Sequence, residues 1–280
     1  MSSVDPLVTA EWLKNNIHAP DVRVVDATWV LPSSVDTKSG REQYNDAHIP
    51  GAFFFDIDHI ADPDHEMAHM LPDPILFSSR VRRLGLGDGN RIIVYDQNSF
   101  YASARVWWMF RAMGHKDVKV LDGGMAVWLE ADGDTEDLPP VSIERHYTAR
   151  KRADLVKNMT QMREQIEHSQ FTVLDARGKG RFDGTEPDPR PNMLSGHIPG
   201  SQSVPATTLI NEDGTLKSAD KLKNLLGDHV TKQVIATCGS GVSAAIIALS
   251  LARLGNWDVA LYDGSWTEWA SNPENPIATL

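Results

Sequence analysis

Val173-Leu174-Asp175-Ala176 and His197-Ile198-Pro199-Gly200 repeat Val24-Val25-Asp26-Ala27 and His48-Ile49-Pro50-Gly51 at a single offset of 149 residues. Leu121-Asp122-Gly123-Gly124 with Trp128 returns as Tyr262-Asp263-Gly264-Ser265 with Trp269, at an offset of 141. So long a period marks two duplicated domains, because solenoids repeat every ~20–50 residues. Short apolar runs alternate with helical stretches in both copies: Val22 to Ala27, Arg91 to Tyr95 and Val118 to Leu121, then Thr172 to Ala176, Gln233 to Thr237 and Val259 to Tyr262. That alternation predicts an α/β protein of two tandem units, each a mostly parallel sheet with helices on both faces. The polar, proline-containing stretch 139–157 reads as a linker, which puts the domains at residues 1–138 and 158–280.

The two copies differ where the chemistry is expected. After its central strand the second copy runs Cys238-Gly239-Ser240-Gly241-Val242-Ser243 and then an apolar helix from about Ala244, whereas the first copy carries Asp96 after Arg91-Ile92-Ile93-Val94-Tyr95. A tight strand-to-helix loop aims several backbone N–H groups at one centre and adds the positive end of the helix dipole. A thiolate placed there is stabilised and available as a nucleophile. The glycines leave the backbone free to curl around the sulfur, which a merely packed cysteine would not need. A carboxylate cannot carry sulfur, so only the second unit can perform cysteine chemistry, and the first becomes a support and part of the wall of the site. Trp107-Trp108 in the first unit reads as interface or core packing.

Composition narrows the remaining choices. The 280 residues are 41% hydrophobic, enough for two packed domains, with a formal charge of −11 and a single cysteine. One cysteine allows no internal disulfide, and a reactive thiol suits a reducing compartment, so a cytoplasmic location is expected. The acidic balance argues against nucleic acid as a partner, and no apolar run reaches the ~20 residues of a membrane helix. An anionic substrate would have to be drawn in by local cations near Cys238.

The duplicated units, the aspartate in the first at the place of the cysteine in the second, His-Ile-Pro-Gly in both, and the six-residue loop opening on Cys238 resemble the two-domain rhodanese-type sulfurtransferases over nearly the whole chain. Within that family the loop is similar to that of the members using 3-mercaptopyruvate. The resemblance implies a persulfide on Cys238, formed with release of pyruvate and passed to a thiol acceptor such as thioredoxin, to a small thiol or to cyanide, with no cofactor and no metal. It implies a catalytic set of Cys238, Ser240, His69 and Asp58, in which a Ser, His, Asp relay assists the attacking cysteine. It also places Trp29 and Tyr101 near the cleft. Ser243 stands where the family usually has threonine, keeping the hydroxyl and losing a methyl.

Charge bears on the donor. Thiosulfate-specific relatives carry an arginine and a lysine inside the loop, where this chain has Gly239 and Ser240. The carboxylate of 3-mercaptopyruvate suits a guanidinium outside the loop, which can bind it bidentately. Arg181 and Arg190, nine residues apart in a segment similar to the family's substrate-holding one, are the expected anchors, with Gly239, Gly241, Val242 and Ser243 of the loop completing the binding set. Without the family match, the same arginines would read as surface cations neutralising Asp183, Glu186 and Asp188.

Other readings have weaker support. His65-Glu66-Met67-Ala68-His69 spells a zinc-hydrolase pattern, but Pro63 before it and Pro72-Asp73-Pro74 after it leave room for barely two helical turns and no apolar face to bury them, whereas the metal site needs a stable helix presenting both imidazoles. Gly85-Leu86-Gly87-Asp88-Gly89 fails the dinucleotide spacing and reads as a turn. A cysteine phosphatase would need an arginine in its loop. A thiosulfate-preferring enzyme and a non-catalytic persulfide carrier or redox sensor remain as alternatives.

Overall fold

The computed structural model describes residues 5–31, 37–98 and 102–280. The first unit contains strands β1 (Leu7–Val8), β2 (Val22–Asp26), β3 (Phe53–Phe54), β4 (Arg91–Tyr95) and β5 (Val118–Leu121). Its helices are α1 (Ala10–Asn16), α2 (Gly40–Asp46), α3 (Ile57–Ile60), α4 (Pro74–Arg83), α5 (Ser103–Ala112) and α6 (Gly124–Glu130). The second unit contains β6 (Val156–Lys157), β7 (Thr172–Asp175), β8 (Gln202–Ser203), β9 (Val234–Thr237) and β10 (Ala260–Tyr262). Its helices are α7 (Met159–His168), α8 (Lys179–Asp183), α9 (Ala219–Leu226), α10 (Ala244–Arg253) and α11 (Ser265–Ser271). Both sheets are wholly parallel and share one order, β1-β5-β4-β2-β3 and β6-β10-β9-β7-β8, so the expected duplication is present strand for strand. The short outer strands β1, β3, β6 and β8 carry too little apolar sequence to announce themselves.

Alternation along each strand sends side chains to two faces. In the first unit Ile93 and Tyr95 pack with Leu13, Tyr44 and Trp128 of α1, α2 and α6 on the outer face. Ile92 and Val94 turn the other way, toward Phe77, Val81 and Phe110 of α4 and α5. The second unit divides likewise, with Ile235 against Met162, Trp266 and Trp269, and Ala236 against Leu222, Leu226 and the apolar run of α10. The two inner faces form one continuous core through α5 and α10. Trp107 and Trp108 are buried in it, and Trp107 reaches Trp257 of the second unit, ring centroids 6.3 Å apart.

Two reciprocal hydrogen bonds lock these faces together. Asp122, after β5, accepts the Leu216 amide of the second unit at 2.8 Å, and its counterpart Asp263, after β10, accepts the Leu71 amide of the first at 2.7 Å. The repeated histidine is structural in both places. His48 stacks on Tyr44 and His197 on Phe182, each 3.9 Å between ring centroids, with Nδ1 bonded to that aromatic residue's carbonyl.

The segment 139–157 differs from a free tether. Tyr147 is buried, the Ala149 amide donates to Ser78 Oγ, and the Arg150 amide donates to the Met113 carbonyl, so this stretch packs along the first unit. Its last two residues are β6, which pairs with β10, so the second sheet starts inside the expected linker. A dipeptide strand has no detectable period, and only its partner reveals it.

Because the core is shared, Trp107→Ala should destabilise the whole protein by about 3–5 kcal/mol, and calorimetry of the parent should show one unfolding transition. Two separable transitions would show that the units melt independently.

Candidate active site

β9 is buried along its length and delivers Cys238 to the mouth of the inner core. The first turn of α11 clamps the chain there. Cys238 donates its amide to Ser265 Oγ and accepts the Trp266 amide at 3.0 Å, while the Gly239 carbonyl accepts both the amide and the hydroxyl of Thr267. With those carbonyls tied off, the amides of the next stretch are left over. Among the described residues, none of the six N–H groups from Gly239 to Ala244 donates to a protein acceptor, and the first that does is Ala245, to the Val242 carbonyl. Ser243 adds no side-chain cap, so the N-terminal end of α10 also points its dipole into the loop. Successive unpaired amides in a curled glycine loop form an anion cradle.

The first unit shows such a cradle in use. Asp96 and Ala102 bracket a loop of the same length as the one between Cys238 and Ala244. The Asp96 carbonyl accepts the Met125 amide at 3.0 Å, just as the Cys238 carbonyl accepts that of Trp266. Asp96 Oδ2 accepts the amides of Ala102 and Ser103, and Oδ1 accepts that of Asn98. Burial pushes this carboxyl above its ordinary value and the three amides oppose the rise. Where the first unit holds its own carboxylate, the second holds Cys238 and uncommitted amides.

The thiol is buried, at 1% exposure, with Val242 and Ala244 beside it in the core; the partly exposed Ser240, Ser243 and Arg190 mark the solvent side. Val242 is buried as well. Gly241 sits at φ +78°, and a Cβ there would lie 2.7 Å from the Asp263 carbonyl. At Gly239 a Cβ would come within 2.7 Å of Arg190 Nη2, so glycine is what lets this guanidinium lie against the loop.

Arg190 is held in that place by the buried carboxylate of Asp188, which accepts both its amide and Nη1 at 3.0 Å. Neutralisation of a neighbouring acid thus coexists with presentation to the loop. Arg181, in the last turn of α8, is not paired with Asp183, which binds Lys179; among the described residues it has no carboxylate partner. Of the two expected anchors, only Arg190 is shown lying against the loop.

The expected relay is half assembled. His69 Nδ1 lies 2.9 Å from Asp58 Oδ1, and the second oxygen of Asp58 accepts Trp29 Nε1 at 2.7 Å, with the Trp29 and His69 rings edge to face. Burial raises the Asp58 carboxyl, but the hydrogen bonds from His69 and Trp29 outweigh it and hold the group below its ordinary range. Among the described residues no hydrogen bond joins Ser240 to His69. Tyr101 lies outside the described residues. His69 has φ +66° in a stretch without a helix, between α3 and α4, so the zinc-like spacing His65 to His69 does not place both imidazoles on one helical face.

Two buried ion pairs around the loop were not anticipated. Arg177 grips Asp175 bidentately at 2.7–3.1 Å and lies over Trp266, the residue bonded to the Cys238 carbonyl. Arg105 pairs with Asp263 at 2.7 Å. Repetition marked both aspartates, and the single charge in the apolar run Ser103-Ala104-Arg105-Val106-Trp107 was the readable sign of a buried partner.

The doubled parallel sheet and the cysteine loop define a two-domain protein of one family: residues 9–131 and 158–272 match the rhodanese-like domain, and the chain belongs to that family. It is 37% identical over 97% of its length to the human 3-mercaptopyruvate sulfurtransferase, covering 95% of that protein. It is 39% identical over 94% of its length to the rat thiosulfate sulfurtransferase, covering 91% of that one. The crystal structure of SseA from Escherichia coli, described with the catalytic mechanism of 3-mercaptopyruvate sulfotransferases, superposes with a TM-score of 0.85 at 35% identity, covering 94% of this chain and 99% of that one.

A carboxyl whose folded value is lowered adds stability that is full above its ordinary value of 3.8 and is lost as the pH falls through the lowered one. The melting-temperature difference between the protein and Asp58→Asn should therefore be constant near neutral pH and close in acid. A difference that persists unchanged in acid would mean the pair is not what Asn removes.

Proposed function

We propose that this protein is a sulfurtransferase that moves sulfur from 3-mercaptopyruvate to a thiol acceptor, such as thioredoxin or a small thiol, or to cyanide, through a persulfide on Cys238. The observation that carries the reading is the set of uncommitted amides from Gly239 to Ala244, with the Arg190 guanidinium lying against Gly239. The amides favour the thiolate, which attacks the sulfur of the donor. The sulfur–sulfur bond forms as the carbon–sulfur bond breaks, and the released electron pair becomes the enolate of pyruvate, which takes a proton at C3. Arg190, with Arg181, supplies charge for the donor carboxylate and for the developing enolate oxygen. Asp58 and His69 handle protons from the first-unit side, with Ser240 as the polar group between them and the sulfur. A thiol or cyanide then attacks the outer sulfur and regenerates Cys238.

The uncharged Gly239 and Ser240 support the keto acid over thiosulfate, whose compact dianion calls for cations inside the loop. Similarity to the rat thiosulfate enzyme keeps thiosulfate as the second reading. The single thiol, which must stay reduced to work, is the basis for proposing a cytoplasmic location.

Exposure to 3-mercaptopyruvate should add one sulfur at Cys238 by intact mass and release pyruvate, and Cys238→Ser should do neither while keeping its melting temperature. Pyruvate release by the serine variant would sink the mechanism. Arg190→Ala should lower kcat/KM for 3-mercaptopyruvate by about ten- to a hundredfold, the worth of a hydrogen bond to a charged group. Cyanide-coupled turnover that is faster with thiosulfate would reassign the donor.

A further inference from the structure

The two halves of the site come from different domains, and one side chain touches both. Arg105, on α5 of the first unit, is fully buried, with its guanidinium over the Trp108 ring. Nη2 donates to the His69 carbonyl, next to the imidazole that meets Asp58, and Nη1 donates to the Gly241 carbonyl, in the middle of the cysteine loop, at 3.2 Å. Nη1 also pairs with Asp263, whose other oxygen accepts the Leu71 amide two residues after His69. The counterpart carboxylate, Asp122, meets Arg253 only at 3.8 Å, and that guanidinium donates to Leu216 and Lys217 of its own unit. Arg253 also meets Asp5 of the first unit at 3.8 Å, so both sides of the pseudo-symmetric clasp carry an arginine, but the closer pair, at 2.7 Å, is on the side that holds Cys238.

We propose that Arg105 is a positioning residue, which sets the distance and orientation between the His69–Asp58 pair of one domain and the Cys238 loop of the other. A planar guanidinium can span two carbonyls and a carboxylate at once because its donors are fixed in a fork; an ammonium at the same site is a single point with a shorter reach. By holding the Gly241 carbonyl, Arg105 also fixes the backbone in the middle of the loop whose amides are uncommitted. The proposal rests on the sulfurtransferase reading, and its test is chosen to separate the two.

Arg105→Lys keeps the buried charge and its carboxylate partner but cannot bridge His69 to Gly241. We expect kcat with 3-mercaptopyruvate to fall by about tenfold or more, as small displacements of reacting groups do, while KM, set by Arg181 and Arg190, changes less than about twofold. Alkylation of Cys238 by iodoacetamide should slow in parallel. Parent values of kcat and alkylation rate in a folded Arg105→Lys protein would overturn the proposal, as would a loss confined to melting temperature. Should that variant not fold, Asp263→Asn, which retains an acceptor for Leu71 and removes the charge anchoring the guanidinium, carries the same comparison with the same two outcomes. If the parent itself releases no pyruvate, the sulfurtransferase reading fails, and the alkylation rates still report on Arg105.

Discussion

Six consecutive amides, Gly239 to Ala244, without protein partners among the described residues are the constraint around which this molecule is built. Buried backbone donors left unpaired are costly, so a chain tolerates them only where a surrounding scaffold forbids their relaxation. Here that scaffold is specific: β9 buried below, the α11 turn tying off the carbonyls of Cys238 and Gly239, and Arg105 holding the carbonyl of Gly241. The same unsatisfied donors that would destabilise an idle loop are what a thiolate, a persulfide or an enolate oxygen can use.

Duplication explains how such a loop could be afforded. In the first unit the carboxylate of Asp96 accepts the amides of Asn98, Ala102 and Ser103 at the end of β4. With those three amides bonded from within, the shared core through α5 and α10 can be stable while the second loop stays open to ligand. Between the units, Asp122 accepts the Leu216 amide and Asp263 the Leu71 amide, so neither face can slide without breaking one of these hydrogen bonds.

The division of labour between domains follows from that packing. The second unit supplies the sulfur, the amides and Arg190; the first supplies His69, Asp58 and the Arg105 strut. A single domain could offer the cradle, but the proposed proton handling by His69 and Asp58 and the proposed donor charge of Arg190 are drawn from two units that share one core.

Much of this was written in the chain. The 149-residue repeat identified two like domains, the strands β2, β4, β5, β7, β9 and β10 announced themselves as apolar runs, and the contrast of Asp96 with Cys238 assigned the chemistry to one half, because these are properties of local composition and order. The dipeptide strands, the packing of residues 141–150 on the first unit and the start of the second sheet at Val156 were not legible, since each exists only through its partner. Arg105 showed as an odd charge in an apolar helix, yet nothing along the chain could say that it faces Gly241, 136 residues away. Which amides are left free and which carbonyls are tied off depends on hydrogen bonds between distant segments, and those are decided only when the two inner faces meet.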